Sequence, residues 1–230
     1  MSAATFSYLF FGALRADARR WTNPDGSEGG IVAVTATVPA SLWVPADAVI
    51  GPRASICPFA SIGPFASIGY RASIGPFASI GYRASIGYRA SIGRRASIGD
   101  GASIGYGASI GNFSTIGDCA SIGDFSTIGP RTSISNCACI SDCASIGDGD
   151  WFMTVGPVGS HAAISLAVYS REHGLRWWVD CQNGISTQAL RERAENTHGA
   201  NDHAADYMAA IAFVESHPGL ARAKATRGAA

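Results

Sequence analysis

Every sixth residue from Ile50 to Ile146 is isoleucine, seventeen in an unbroken frame that Val32, Val38 and Val44 extend backwards. The residue after each isoleucine is glycine except at Cys57, Ser135 and Ser141, and the residue two before it is alanine, serine or threonine. The unit reads Ala-Ser-Ile-Gly-x-x. A period of six fits neither a 3.6-residue helix nor a continuous alternating strand, but it fits a short strand followed by a tight turn. Ala-Ser-Ile then alternates inward, outward, inward, with serine facing away from the core. The glycine is expected to supply the conformational freedom of a corner, which the two variable residues complete. One hexad buries almost nothing, so the units must stack, and each buried isoleucine then contributes about 1.5–3 kcal/mol of transfer free energy.

This pattern, carried by every hexad over residues 32–152, resembles the transferase hexapeptide repeat. The resemblance implies an all-β, left-handed parallel β-helix in which three hexads make one triangular coil. Twenty hexads then give about seven coils. The expected organisation is an N-terminal cap (1–31), the β-helix (32–152), a small α+β unit (153–220) and a flexible tail (221–230). The cap is expected from Tyr8, Leu9, Phe10, Phe11, Trp21 and the turn-rich Asn23-Pro24-Asp25-Gly26-Ser27, because a solenoid end exposes unpaired strand edges. A partner-binding or membrane role for the same aromatic segment is the alternative.

If a coil holds 18 residues, residues 18 apart share an edge. One edge then aligns Tyr70, Tyr88 and Tyr106 beside Arg53, Arg71 and Arg89. Between Ile50 and Gly99 there are six arginines and no acid, whereas Asp100 to Asp150 holds six aspartates and one arginine. Two readings stay open. Arg53, Tyr70, Arg71, Tyr88, Arg89 and Tyr106 form a surface for an anionic polymer or glycan, or the corners simply face water and tolerate any residue. Cys119 and Cys137 fall one strand apart, but corners splay outwards and a zinc site needs four convergent ligands, so they read as free surface thiols and no metal is assigned.

Past Phe152 the period is lost. Trp151 to Val158, Ala163 to Tyr169 and Leu175 to Cys181 read as strands. Ser186 or Thr187 is expected to cap a helix through Leu190 and Ala194 that ends near Gly199, and Asp202 to cap a second through Tyr207, Ile211 and Val214. All five histidines, His161, His173, His198, His203 and His217, lie here. Cys181 with His198 or His203 is the one nucleophile–base pairing to weigh, though the spacing does not select it. The segments Thr154-Val155-Gly156-Pro157-Val158-Gly159-Ser160 and Thr197-His198-Gly199, with the repeat, resemble bacterial and prophage-borne hexapeptide-repeat proteins of no assigned activity.

The resemblance implies homotrimers and, in its best-known owners, acyl transfer from coenzyme A or acyl-carrier-protein donors with a histidine of the β-helix as base. The repeat has no histidine and no insertion to deliver one. The favoured expectation is therefore a non-catalytic structural or binding scaffold with no cofactor and no catalytic residue. A divergent acyltransferase, its histidine drawn from the C-terminal unit, is the alternative, and an ice-binding protein the second. Self-association is expected, a trimer above other states. Balanced charge, 17 basic against 17 acidic residues, gives no nucleic-acid signal. The apolar stretch Phe6 to Leu14 is too short to cross a bilayer, so a cytoplasmic protein is expected, with virion association as an alternative.

Overall fold

The computed structural model describes residues 4–11, 14–179 and 182–226. It has two compact units, Met1–Ala138 and Cys139–Ala230.

The first unit opens with β1 (Thr5–Phe10), β2 (Leu14–Thr22) and β3 (Glu28–Ala33), an antiparallel meander with Thr5 opposite Arg19 and Ala18 opposite Ala33. The two-residue strands β4 to β20 follow, one per hexad, from Val49–Ile50 to Ser145–Ile146. Within the first unit they form three parallel sheets, β3-β4-β7-β10-β13-β16, β5-β8-β11-β14-β17 and β6-β9-β12-β15-β18. Each strand therefore pairs with the strand three hexads on. Ser85 lies between Ser67 and Ser103, and the Ser85 amide donates to the Ala102 carbonyl at 2.8 Å. This is the β-helix that the six-residue frame requires. All seventeen isoleucines are buried, none above 5% exposure.

Regular strands make about six turns rather than seven. The first coil is irregular because Pro39 and Pro45 lack the N–H that a ladder needs, and its second hexad keeps only an isolated bridge between Thr37 and Ser55. Val44 is still fully buried. The expected cap is present. β3 lies parallel to β4, Trp21 donates its indole N–H to the Leu42 carbonyl at 3.0 Å, and the buried Asn23 side chain accepts from the Val44 amide at 2.9 Å.

The repeat glycine has a different role from the one expected. None of the glycines that follow isoleucine has a positive φ; the left-handed residue is the second variable one, as at Arg53 (φ 57°), Phe77 (61°) and Cys119 (54°). What the glycine supplies is absence of bulk. A Cβ on Gly87 would lie 2.6 Å from the carbonyl carbon and oxygen of Gly105 in the next coil. Two of the three departures fit this account. Ser135 and Ser141 stand where no hexad follows 18 residues further on, so nothing in the frame is crowded by their side chains.

The aspartates and asparagines of the later coils have a local task. Asp100, Asp118 and Asn136 accept in succession from the amides of Tyr82 (2.7 Å), Asp100 (2.9 Å) and Asp118 (3.0 Å), and Asp124 accepts from Tyr106 at 2.7 Å. Corners whose amides would lack a partner are thereby satisfied. In the earlier coils Pro52, Pro58, Pro64 and Pro76 occupy the same corner position and have no amide to satisfy.

The second unit carries the last two hexads and then β21 (Trp151–Val158), β22 (Ala163–Ser170), β23 (Gly174–Val179) and β24 (Gln182–Ser186), a four-stranded sheet in sequence order joined antiparallel. Helices α1 (Thr187–His198), α2 (Asp202–Ser216) and α3 (Pro218–Ala225) pack on it through Trp177, Val179, Leu190, Tyr207, Ile211 and Leu220. Ser186 caps α1, its hydroxyl accepting from the Ala189 amide at 3.1 Å, and Gly199 (φ 63°) ends it. The cap of α2 is Asn201, not Asp202. Asn201 has the extended backbone a cap requires, and Asp202 lies in the first turn, where a carboxylate is favoured by the helix dipole. Two elements were not expected. β24 grows from the turn-like Gln182-Asn183-Gly184, and α3 runs into the stretch expected to be a tail because Leu220 is fully buried.

Candidate active site

Two concavities lie in the second unit. The wider, about 950 Å³, is bordered by Asp150, His173, Arg176 and Trp178. Its polar groups serve local structure. Asp150 accepts from the Gly147 amide at 2.7 Å, Arg176 donates to the His173 carbonyl at 3.1 Å, Trp178 donates to the Cys143 carbonyl at 3.3 Å, and His173 lies 3.9 Å from Glu172.

The smaller cavity, about 300 Å³, gathers groups suited to chemistry: His161, His198, Ser160, Thr197, Arg193 and the phenol of Tyr207. Each is placed by an identifiable element. His161 rides the tight turn between β21 and β22, which the Ala162 amide closes on the Gly159 carbonyl at 3.1 Å. Glycine suits position 159 on two counts: its φ is +70°, and a Cβ there would run into the phenol end of Tyr207. His198 is the last residue of α1. Its ring stacks on that of Tyr207 with centroids 5.9 Å apart and 18° between planes, and meets the His203 ring edge-on at 5.6 Å. Two aromatic neighbours thus fix the half-buried His198 imidazole. Arg193 at the rim is hydrogen-bonded to Gln182.

The structure therefore brings together histidines that the sequence left scattered. His198 and His203 are neighbours, and His161 lines the same cavity as His198. His217 is spent on structure, its Nδ1 accepting from the Gly219 amide at 3.0 Å at the start of α3. Cys181 lies outside the described residues. Cys119 and Cys137 are exposed free thiols. The segments ending at Ser160 and spanning Thr197-His198-Gly199 both reach this cavity, and so does Tyr207, whose place in the helical pattern marks it only as a core residue.

The six residues of the arginine–tyrosine edge also meet as neighbours, in the first unit. Arg53 donates to the Tyr70 hydroxyl at 3.1 Å, the Arg71 guanidinium lies 5.2 Å from the Tyr70 ring, Tyr70 and Tyr88 have centroids 5.9 Å apart, and Arg89 donates to the Tyr106 hydroxyl at 3.3 Å. Tyr88 is hydrogen-bonded to the Phe11 carbonyl.

No family model matches this chain, and no curated protein matches it. Solved structures do. A hexapeptide transferase family protein from Anaplasma phagocytophilum is similar at a TM-score of 0.50 and 15% identity, over 83% of this chain and 95% of that one. A mutant of perosamine N-acetyltransferase from Caulobacter crescentus, in complex with CoA and GDP-perosamine, is similar at 0.42 and 18% over 64% of this chain; the match spans 57% of the acetyltransferase's length. The acetyltransferase domain of PglB from Neisseria gonorrhoeae, in complex with acetyl coenzyme A, is similar at 0.39 and 16%, over 55% of this chain and 57% of that one. The chain has the fold of hexapeptide-repeat β-helix proteins. The expectation of a non-catalytic scaffold is corrected in favour of its acyltransferase alternative: a hexapeptide transferase family protein is similar over 83% of this chain. That expectation stood on the missing histidine of the repeat. The second unit holds two imidazoles in one cavity. Among the described residues, no helix is long and apolar enough to cross a membrane.

Proposed function

We propose that this hexapeptide-repeat β-helix protein is an acyltransferase that uses an acyl-coenzyme A donor, with His198 as the general base. The supporting observation is the convergence of His198 and His161 with Tyr207 on one cavity. Its volume, about 300 Å³, suits the acyl-thioester end of such a donor together with a small acceptor, with the donor's nucleotide outside it. The donor supplies a carbonyl carbon and a thiolate leaving group. The chain's part is proton handling. As the acceptor nitrogen or oxygen bonds to the carbonyl carbon, His198 takes its proton; the carbon–sulfur bond breaks and the imidazolium returns that proton to the departing thiolate. Tyr207 and His203 hold the ring in place for both transfers.

The test is product formation from acetyl-coenzyme A with a panel of amino sugars and amines, followed by mass spectrometry, because the exposed Cys119, Cys137, Cys139 and Cys143 would consume a thiol reagent. The expected loss on His198→Ala is about 100-fold or more, the ordinary contribution of a general base. His203→Ala is expected to lose less. Turnover unchanged in His198→Ala, or no product from any acceptor with the unmodified chain, overturns the reading.

We also propose self-association, with a trimer the expected state, because the outward serines of one face, such as Ser67, Ser85 and Ser103, form flat, weakly charged rows. Sedimentation as a single 23.7 kDa species at micromolar concentration would refute it.

A further inference from the structure

We infer that the edge carrying Arg53, Tyr70, Arg71, Tyr88, Arg89 and Tyr106 is a binding surface for an acidic polysaccharide, an extended polymer whose sugar rings bear carboxylates. Three observations carry this. The first is periodicity. Arg53, Arg71 and Arg89 occupy one corner position on successive coils, about 4.8 Å apart along the stack. All three have left-handed backbones, with φ of 57°, 57° and 56°, a conformation that opposes any side chain. The next coil has Gly107 at this position with φ +65°, so the backbone accepts glycine there. The guanidiniums stand against the local conformational preference.

The second observation is that the charge is uncompensated. Among the described residues, none of the six arginines between Ile50 and Gly99 has a carboxylate within ion-pair distance. The aspartates that balance them in the net charge belong to later coils, where Asp100, Asp118 and Asp124 are bound to corner amides. A row of unneutralised cations beside a low-dielectric wall attracts a polyanion.

The third observation selects the polyanion. Stacking nucleobases need free aromatic faces. Here Arg71 and Arg53 already lie 5.2 and 5.9 Å from the Tyr70 ring, and Phe125 packs edge-on against Tyr106 at 4.9 Å. What the edge offers instead is guanidinium N–H groups and the hydroxyls of Tyr70 and Tyr106, donors matched to carboxylates and sugar hydroxyls. Arg53 and Arg89 are steadied by their bonds to Tyr70 and Tyr106, which leaves their remaining N–H groups directed by the ladder.

The experiment is binding of the full chain to polygalacturonate, to its fully methyl-esterified form and to single-stranded poly(dT), at low and physiological salt. Polygalacturonate is expected to bind, more weakly as salt rises, and the neutral ester not to bind. Arg71→Gln with Arg89→Gln is expected to weaken binding at least 10-fold at an unchanged thermal midpoint. Arg53→Gln alone is expected to weaken it less, which keeps the test open should the double variant unfold. Arg94→Gln with Arg95→Gln, on another edge, is expected to change affinity less than 3-fold. The inference fails if polygalacturonate does not bind, if the ester binds equally, if poly(dT) binds more tightly, or if the Arg94/Arg95 variant loses as much as the Arg71/Arg89 one.

Discussion

Replacing Gly87 with alanine tests whether the repeat glycine is required for space or for backbone freedom. The added Cβ would lie 2.6 Å from both the carbonyl carbon and oxygen of Gly105 and 2.7 Å from the Ile104 oxygen, all backbone atoms of the next coil. Ordinary carbon contacts begin near about 3.5 Å, so relief requires the coils to part by about 0.9 Å. The Gly87 amide bonds the Ile104 oxygen at 2.7 Å, and the same displacement would stretch that bond to about 3.6 Å, past the useful range. Either the clash remains, at about 1–3 kcal/mol, or one or two ladder bonds weaken at about 1 kcal/mol each. The expected loss is about 2–3 kcal/mol, a fall of roughly 4–12 °C in unfolding midpoint by circular dichroism. Gly101→Ala is the comparison. Its φ is +65°, but the added atom meets only the Cys119 sulfur at 3.4 Å, and Arg83 and Cys119 already adopt this conformation on the same edge, so about 1 kcal/mol is expected. Gly101→Ala costing more than Gly87→Ala, or Gly87→Ala within about 0.5 kcal/mol of the parent, would refute the close-approach account.

Ile98→Asp, which forces a charge into a position only 2% exposed, is expected to cost more than about 4 kcal/mol, read as loss of cooperative unfolding or of soluble protein. Asn201→Ala removes the side chain that accepts from the Ala204 amide at 3.1 Å and is expected to cost about 1 kcal/mol; Asp202→Ala should cost less, and the reverse order in denaturant titrations would return the cap to Asp202. Asp118→Ala deprives the Asp100 amide of its acceptor at 2.9 Å, with about 1 kcal/mol lost and faster hydrogen exchange at that amide.

The isoleucine frame was fully legible because it is a contact list in disguise: each strand's partner is a fixed distance away in the chain. The glycine was seen but misread, since a corner in the sequence does not reveal whether the need is a positive φ or an approaching backbone. β24 was hidden by Gln182-Asn183-Gly184, which has turn chemistry and becomes a strand only because β23 offers it an edge. α3 was hidden for a like reason: one buried leucine holds it. The cavity was the least legible part. His161 lies in a strand turn and His198 at a helix end, and only the packing of α1 and α2 on the sheet brings the two to one place. The arginine–tyrosine edge, by contrast, followed from dividing the chain into 18-residue coils.

That division sets how such a chain can lengthen. A duplicated hexad inserted between Asp100 and Tyr106 would leave every isoleucine inside, yet hand each downstream corner to the neighbouring edge, so that Tyr106 would no longer follow Arg89 and Asp118 would no longer meet Asp100. Duplication of a whole coil leaves both relations intact. The interior is thus inherited in units of six residues and the surface in units of eighteen, and selection on any ligand along an edge acts only on the larger unit.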